Sequence, residues 1–310
     1  MYKYIIKRLL ITIPILIGVT FIIFSIMALT PGDPGRLILG DNAKPEAIAQ
    51  LNSDLGFDRP FLVRYVSFLY DAITKFDFGI SYRTQKPVFE EIWLRFPNTL
   101  ALAVMAVLLS SLLGVSLGII SAIKQYSLTD NVLTVAAMFF AAIPIFWFGM
   151  MLIYVFSLKL GWLPTSGIGS WKNFLLPTIA LACSSAGGLL RLTRSTMLET
   201  IRQDYIRTAR AKGAPERLVI LKHALKNALL PVVTVLGMNF GSLLGGAVVT
   251  ETVFSIPGLG THVISAIRWK DIPVVMATTL FLATMFCIIM LVVDILYAYI
   301  DPRIRAKYTK

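Results

Sequence analysis

Side chains that usually do chemistry are scarce in this 310-residue sequence, and their spacing fits few reactions. The two cysteines, Cys183 and Cys287, both fall in strongly apolar runs, which leaves neither a disulfide framework nor a thiolate metal site. Two histidines, His223 and His262, do not make a His-rich metal centre, so no metal site is expected. There is no G-x-x-x-x-G-K-[ST] loop, so the chain lacks the usual means of holding ATP. Without a G-x-S-x-G elbow or an H-E-x-x-H pair, no catalytic residue and no enzyme activity are expected. What remains is recognition chemistry in residues 191–227. There Arg202, Arg207 and Arg210 stand beside a stripe of Ile201, Tyr205 and Ala209, and Leu218, Leu221 and Leu225 follow as a second stripe. Arginines can pair with a partner's carboxylates while an apolar stripe fills a groove. The plain alternative is that any loop on the inner side of a membrane is basic.

The elements around this loop are apolar. No Asp, Glu, Lys or Arg occurs between Arg8 and Asp33, Arg95 and Lys124, Asp130 and Lys159, Lys172 and Arg191, Lys226 and Glu251, or Asp271 and Asp294. A hydrocarbon core about 30 Å thick needs about 20 apolar helical residues, so each run is a candidate span. With 56% hydrophobic and 15% charged residues, an ordinary soluble globule is excluded. The expected spans are about 9–30, 97–123, 131–158, 174–190, 228–250 and 273–293. The first could be a signal peptide, but its apolar run is too long and no small-x-small site follows, so it reads as a permanent helix. The spans lack internal charge, which argues against a proton-coupled pump.

Segments 1–8, 124–130, 191–227 and 294–310 carry nearly all of the net charge of +12. The positive-inside rule places them, and both termini, in the cytoplasm. Trp93, Trp162, Trp171 and Trp269 then fall on the outer side near span ends, as an interfacial belt requires. With the charge explained by topology, no nucleic-acid partner is expected. Outside lies a loop, 33–95, in which 45–76 reads as helical and Val88–Phe96 as a short interfacial helix. Pro31-Gly32-Asp33-Pro34 opens it as a turn, with Asp33 a turn or cap residue. In the basic loop, Ser195–Lys212 reads as one helix, Gly213 as a bend, and Pro215 as the start of a second helix. Gly237, Gly241 and Gly245 form a small-residue face suited to close helix packing, with Gly241 also able to line a pathway.

Tyr205-Ile206-Arg207-Thr208-Ala209-Arg210-Ala211-Lys212-Gly213 and His223-Ala224-Leu225-Lys226-Asn227-Ala228-Leu229-Leu230-Pro231 resemble the E-A-A-x3-G coupling loop of binding-protein-dependent ABC importer permeases. The resemblance is greatest to the first-subunit branch of the dipeptide/oligopeptide/nickel permeases. Asp77-Phe78-Gly79-Ile80-Ser81, Glu251-Thr252-Val253-Phe254 with Pro257-Gly258-Leu259-Gly260, and Asp301-Pro302-Arg303-Ile304-Arg305 agree with it. The wider pattern's Glu-Ala-Ala stands here as Arg207-Thr208-Ala209, so only Ala209 and Gly213 of that motif are kept.

The resemblance implies an all-α membrane protein of type I ABC importer permease architecture with six transmembrane helices. Its parts would be an N-terminal helix (1–32), an extracytoplasmic scaffold loop (33–95), a five-helix core (96–293) containing the coupling loop 191–227, and a cytoplasmic tail (294–310). It implies a homologous second permease, two cytoplasmic ATPase subunits that hold ATP and Mg, an extracytoplasmic solute-binding protein, and a bacterial or archaeal cytoplasmic membrane. No cofactor is expected on this chain itself. The ATPase-coupling residues it points to are Tyr205, Arg207, Thr208, Ala209, Arg210, Gly213, Ala214, Pro215 and His223, with Glu251, Gly241 and Trp147 as gate or pathway candidates. The implied cargo is a di- or oligopeptide, with nickel or a metal chelate as the alternative. An ATPase-independent channel or secondary carrier is the competing class.

Overall fold

In the computed structural model, residues 2–30, 33–40 and 42–300 are described, and they are helical with no strand ladder beyond one bridge between Ile80 and Pro87. Pro31 and Gly32, and the tail motif Asp301–Arg305, lie outside the described residues. The first span is α1 (Tyr2–Leu29). Asp33 caps α2 (Pro34–Leu39), its carboxylate accepting the Arg36 N–H at 3.2 Å, with Pro34 in the first turn. α3 (Pro45–Asp54) and α4 (Phe61–Thr74) divide the helix expected over 45–76, because Gly56 between them takes φ +74. The interfacial helix expected at Val88–Phe96 is instead the beginning of α5 (Val88–Ile123). Val88 and Ile92 are fully buried, and their packing carries the helix past Pro97 without a break.

The third expected span is broken. α6 (Leu128–Ala142) and α7 (Ile145–Leu152) meet at a bend of 99°. Pro144 has no N–H and disfavours helical backbone before it, and Ile143 is accordingly extended at φ −73, ψ 129. A π-helical stretch carries α7 on to Lys159. α8 (Leu175–Ile201) runs past the expected end of the fourth span, so the helix expected over Ser195–Lys212 splits near Gln203 and its second part is α9 (Asp204–Ala211). Beyond Gly213, α10 (Glu216–Leu218) passes through a π-helical turn, Val219–Ala224, directly into α11 (Leu225–Gly246). The second loop helix and the fifth span are therefore continuous. α12 (Val248–Val253), α13 (Leu259–Arg268) and α14 (Ile272–Ile300) complete the order. Among the described residues, five helices are long and apolar enough to cross a membrane, and the bent α6–α7 pair, counted as one broken span, brings the number to the expected six.

The chain forms two compact units. One comprises residues 2–99 and 257–287, around a core of Phe24, Tyr65, Ile92, Leu259, Ala266 and Met276. α4 is clamped to α1 there. Tyr65 donates its hydroxyl proton to the Ile17 carbonyl at 2.7 Å and lies 2.9 Å from Thr20 Oγ1, and its ring meets Phe21 and Phe24. The other face of α4, with Leu62, Val66, Tyr70 and Ile73, is exposed. The second unit holds 100–256 and the chain from 288. One of its two apolar cores includes Leu102, Leu152, Leu181 and Phe254; the other includes Met197, Ile206, Val219 and Ala224. Of the expected glycine face, Gly237 abuts Val293 whereas Gly245 faces open space. Gly114, which sequence reasoning missed, sits so close to α8 that a methyl group there would lie 2.6 Å from Leu189 Cβ. Trp93, Trp162, Trp171 and Trp269 are all exposed near helix ends, as amphipathic interfacial rings should be.

Candidate functional site

The basic loop between α8 and α11 is built from its buried side inward. α9 is held by Ile206, which has no exposed surface and packs in the cluster of Met197, Val219, Ala224 and Ala228. Of the expected Ile201–Tyr205–Ala209 stripe, Ile201 and Ala209 pack against this cluster and Tyr205 does not. Because α8 stops at Ile201 and α9 starts at Asp204, the helical register resets, and Tyr205 is left 45% exposed. The stripe expected from Leu218, Leu221 and Leu225 changes for a related reason. Through the π-helical turn residues five apart share a face, so Val219 and Ala224 are buried while Leu218 and Leu221 are exposed.

The bend lies where the sequence places it. Gly213 adopts φ +78, a conformation other residues reach only with strain, and its N–H donates to the Arg210 carbonyl at 2.9 Å. Arg210 spans the bend with two bonds to Glu216, Nε–Oε2 at 3.0 Å and Nη2–Oε1 at 2.6 Å. Hydrogen bonding to that carboxylate raises the Arg210 pKa above its ordinary value. The pair is exposed, so its weight is geometric more than energetic. Asn227 Nδ2 donates to the Tyr205 hydroxyl at 2.8 Å, tying α9 to the start of α11. Thr208 donates its hydroxyl proton to the Asp204 carbonyl, and Arg207 lies 3.8 Å from the Asp204 carboxylate. Of the residues singled out in sequence, Tyr205, Arg207, Thr208, Arg210, Gly213 and Pro215 thus form an exposed face, while Ala209, Ala214 and His223 are half-buried beneath it.

Behind this surface is a joint that sequence reasoning passed over. Asp130, in the first turn of α6, is 2% exposed and receives Arg194 of α8 in a bidentate pair, both bonds 2.7 Å. Ser121 Oγ and the Tyr126 N–H also donate to this carboxylate. The available signal was an acid closing a tight turn, with a serine three residues before it as helix cap.

The gate or pathway candidates do not share one environment. Glu251 is fully buried and Gly241 is buried, whereas Trp147 is exposed. α12 rests on α7: a side chain at Gly149 would meet the Phe254 ring at 3.0 Å, and the Phe254 carbonyl accepts the Gly167 N–H at 3.0 Å. Among the described residues no group of three or more His, Cys, Asp or Glu could hold a metal ion.

Two family models match. Residues 114–306 fit the binding-protein-dependent transport system inner membrane component, and residues 1–103 fit the N-terminal part of such membrane components. The dipeptide transport system permease protein DppB of Alkalihalophilus pseudofirmus is 44% identical over 98% of this chain and 100% of its own length. The glutathione transport system permease protein GsiC of Escherichia coli K12 is 41% identical over 99% of this chain and 100% of its own. Among solved structures, the inward-facing MetNI methionine ABC transporter matches 68% of this chain and 97% of its own with a TM-score of 0.57 at 19% identity, which bears on fold alone. This chain belongs to the family of binding-protein-dependent transport system inner membrane components.

Proposed function

We propose that this chain is the translocation subunit of an ATP-driven importer of small peptides, and that the α9–Gly213–α10 surface is where an ATPase subunit docks. The observation that carries the reading is the construction of that surface. Ile206 anchors a short helix, Gly213 sets its angle, and Tyr205, Arg207, Arg210, Leu218 and Leu221 are left outward with little to satisfy them on this chain beyond local pairs. A partner groove lined with carboxylates and apolar side chains would complete them. In this reading 191–227 and both termini face the cytoplasm, and 33–95 faces outward toward a solute-binding protein. A second related permease and two ATPases, which would carry ATP and Mg, complete the complex. Closure of the ATPases would move α9, α9 would move α8 and α11 through the Ile206 cluster, and α8 would move α6 through the Asp130–Arg194 joint. The peptide cargo is supported by the names of the two permease relatives, for dipeptides and for glutathione.

The test is solute-stimulated ATP hydrolysis by the purified complex carrying Gly213→Pro. Proline fixes φ near −65° and cannot follow the +78 bend. Stimulation should fall at least about tenfold while the permease still inserts and binds its partner permease. Unchanged stimulation would overturn the docking assignment.

A further inference from the structure

The unit formed by residues 2–99 and 257–287 bears a half-open polar pocket of about 300 Å³ whose lining includes Ser81, Glu91, Arg95, His262 and Asp271. Four of its atoms have no hydrogen-bond partner: Glu91 Oε2, Arg95 Nε, His262 Nε2 and Asp271 Oδ1. Glu91, His262 and Asp271 are 9%, 7% and 3% exposed, respectively. Buried polar groups are nearly always paired, and an orphan costs about 1–3 kcal/mol, so four beside one cavity need an explanation.

The local partners are already committed elsewhere. Asp271 Oδ2 accepts from Ser81 Oγ at 2.5 Å and from the Arg83 N–H at 3.3 Å, which fixes the carboxylate and leaves Oδ1 without a donor. The Arg83 guanidinium stacks over Trp269 at 4.4 Å and donates to Ser265 Oγ at 3.2 Å, so it stays at the rim. His262 Nε2 and Glu91 Oε2 approach to 3.5 Å without forming a hydrogen bond. No lysine lines the pocket. As these side chains are placed, neither Glu91 Oε2 nor Asp271 Oδ1 has a donor and Arg95 Nε has no acceptor.

We propose that this pocket binds the primary ammonium group of a small amine, with Glu91 and Asp271 accepting its N–H bonds and Arg95 donating to a carbonyl beside it. An ammonium supplies three donors and a charge matched to the carboxylates, and an α-amino amide carries an ammonium and a carbonyl in one small molecule. An alkali cation would serve the carboxylates but leave Arg95 Nε unpaired. The assignment stands on the pocket's side chains and not on the transport reading.

Calorimetric titration of the full-length chain in lipid nanodiscs tests it with glycinamide, with N-acetylglycinamide, which keeps the carboxamide and replaces the ammonium with a neutral amide, and with sodium chloride. Saturable binding of glycinamide alone is expected. Glu91→Gln, which keeps the shape, should weaken it about tenfold or more, as should Asp271→Asn, which retains an acceptor for Ser81. An unshifted melting midpoint in either variant shows that the fold is intact. Absent glycinamide binding, equal binding of the acetylated analogue, full competition by sodium, or unchanged affinity in both folded variants would overturn the site. Because no ATPase is present, that failure would leave ATP-coupled uptake standing.

Discussion

At the scale of the residue, the proposed docking helix α9 hangs on Ile206. Replacing a fully buried isoleucine with alanine removes its burial and leaves a cavity, at about 2–4 kcal/mol. α9 is only eight residues long and is not stable by itself, so Ile206→Ala should release it. Amide hydrogen exchange across 204–211 should then accelerate while α8 stays protected. His262 gives a pH dependence. Burial, aided by the nearby Arg95 charge, pushes its pKa down to about 4 from an ordinary 6.5. Between those values the unfolded chain binds the extra proton, so this contribution is complete above pH 6.5 and is lost as pH falls toward 4. The melting midpoint should drop between pH 6.5 and 4.5, and His262→Gln should remove that part of the drop. Some of these residues were legible in sequence. The Asp33 cap and the Gly213 bend follow from local chemistry, whereas the choice of Ile206 over Tyr205 depends on a register that restarts near Gln203.

At the scale of the element, the charge-free runs locate the spans well but not their ends. α8 and α11 continue beyond the apolar stretch because a helix can carry charged side chains once it leaves the hydrocarbon. The break at Pro144 had a visible residue but no visible outcome, since proline is tolerated in membrane helices when neighbours satisfy the freed groups. The Asp130–Arg194 joint was illegible for a different reason, as it pairs residues on separate helices across 64 positions. It ties α6 to α8, the helix that leads into the proposed docking loop. Breaking one side of a buried pair costs about 3–5 kcal/mol. Asp130→Asn and Arg194→Gln should each destabilise the chain by about 3 kcal/mol, and the double variant should cost much less than their sum. Additive losses in a double-mutant cycle would show that the two side chains are not coupled.

At the scale of the whole molecule, family and function class were legible because span number, charge placement and the loop motif all occur along the chain. The grouping of 257–287 with 2–99 was not, since it rests on long-range bonds such as Ser81 to Asp271 and Asn98 Nδ2 to the Pro257 carbonyl at 3.0 Å. The central claim is that this chain moves solute only when an ATPase drives its docking loop. Its most direct test is uptake of a radiolabelled dipeptide by proteoliposomes holding the complete complex, with ATP on the ATPase side and the solute-binding protein on the other. Accumulation against a gradient is expected that requires ATP, disappears without the ATPases, and is lost in Gly213→Pro. Equal uptake without ATPases or ATP would contradict it and make the chain a channel or a self-sufficient carrier.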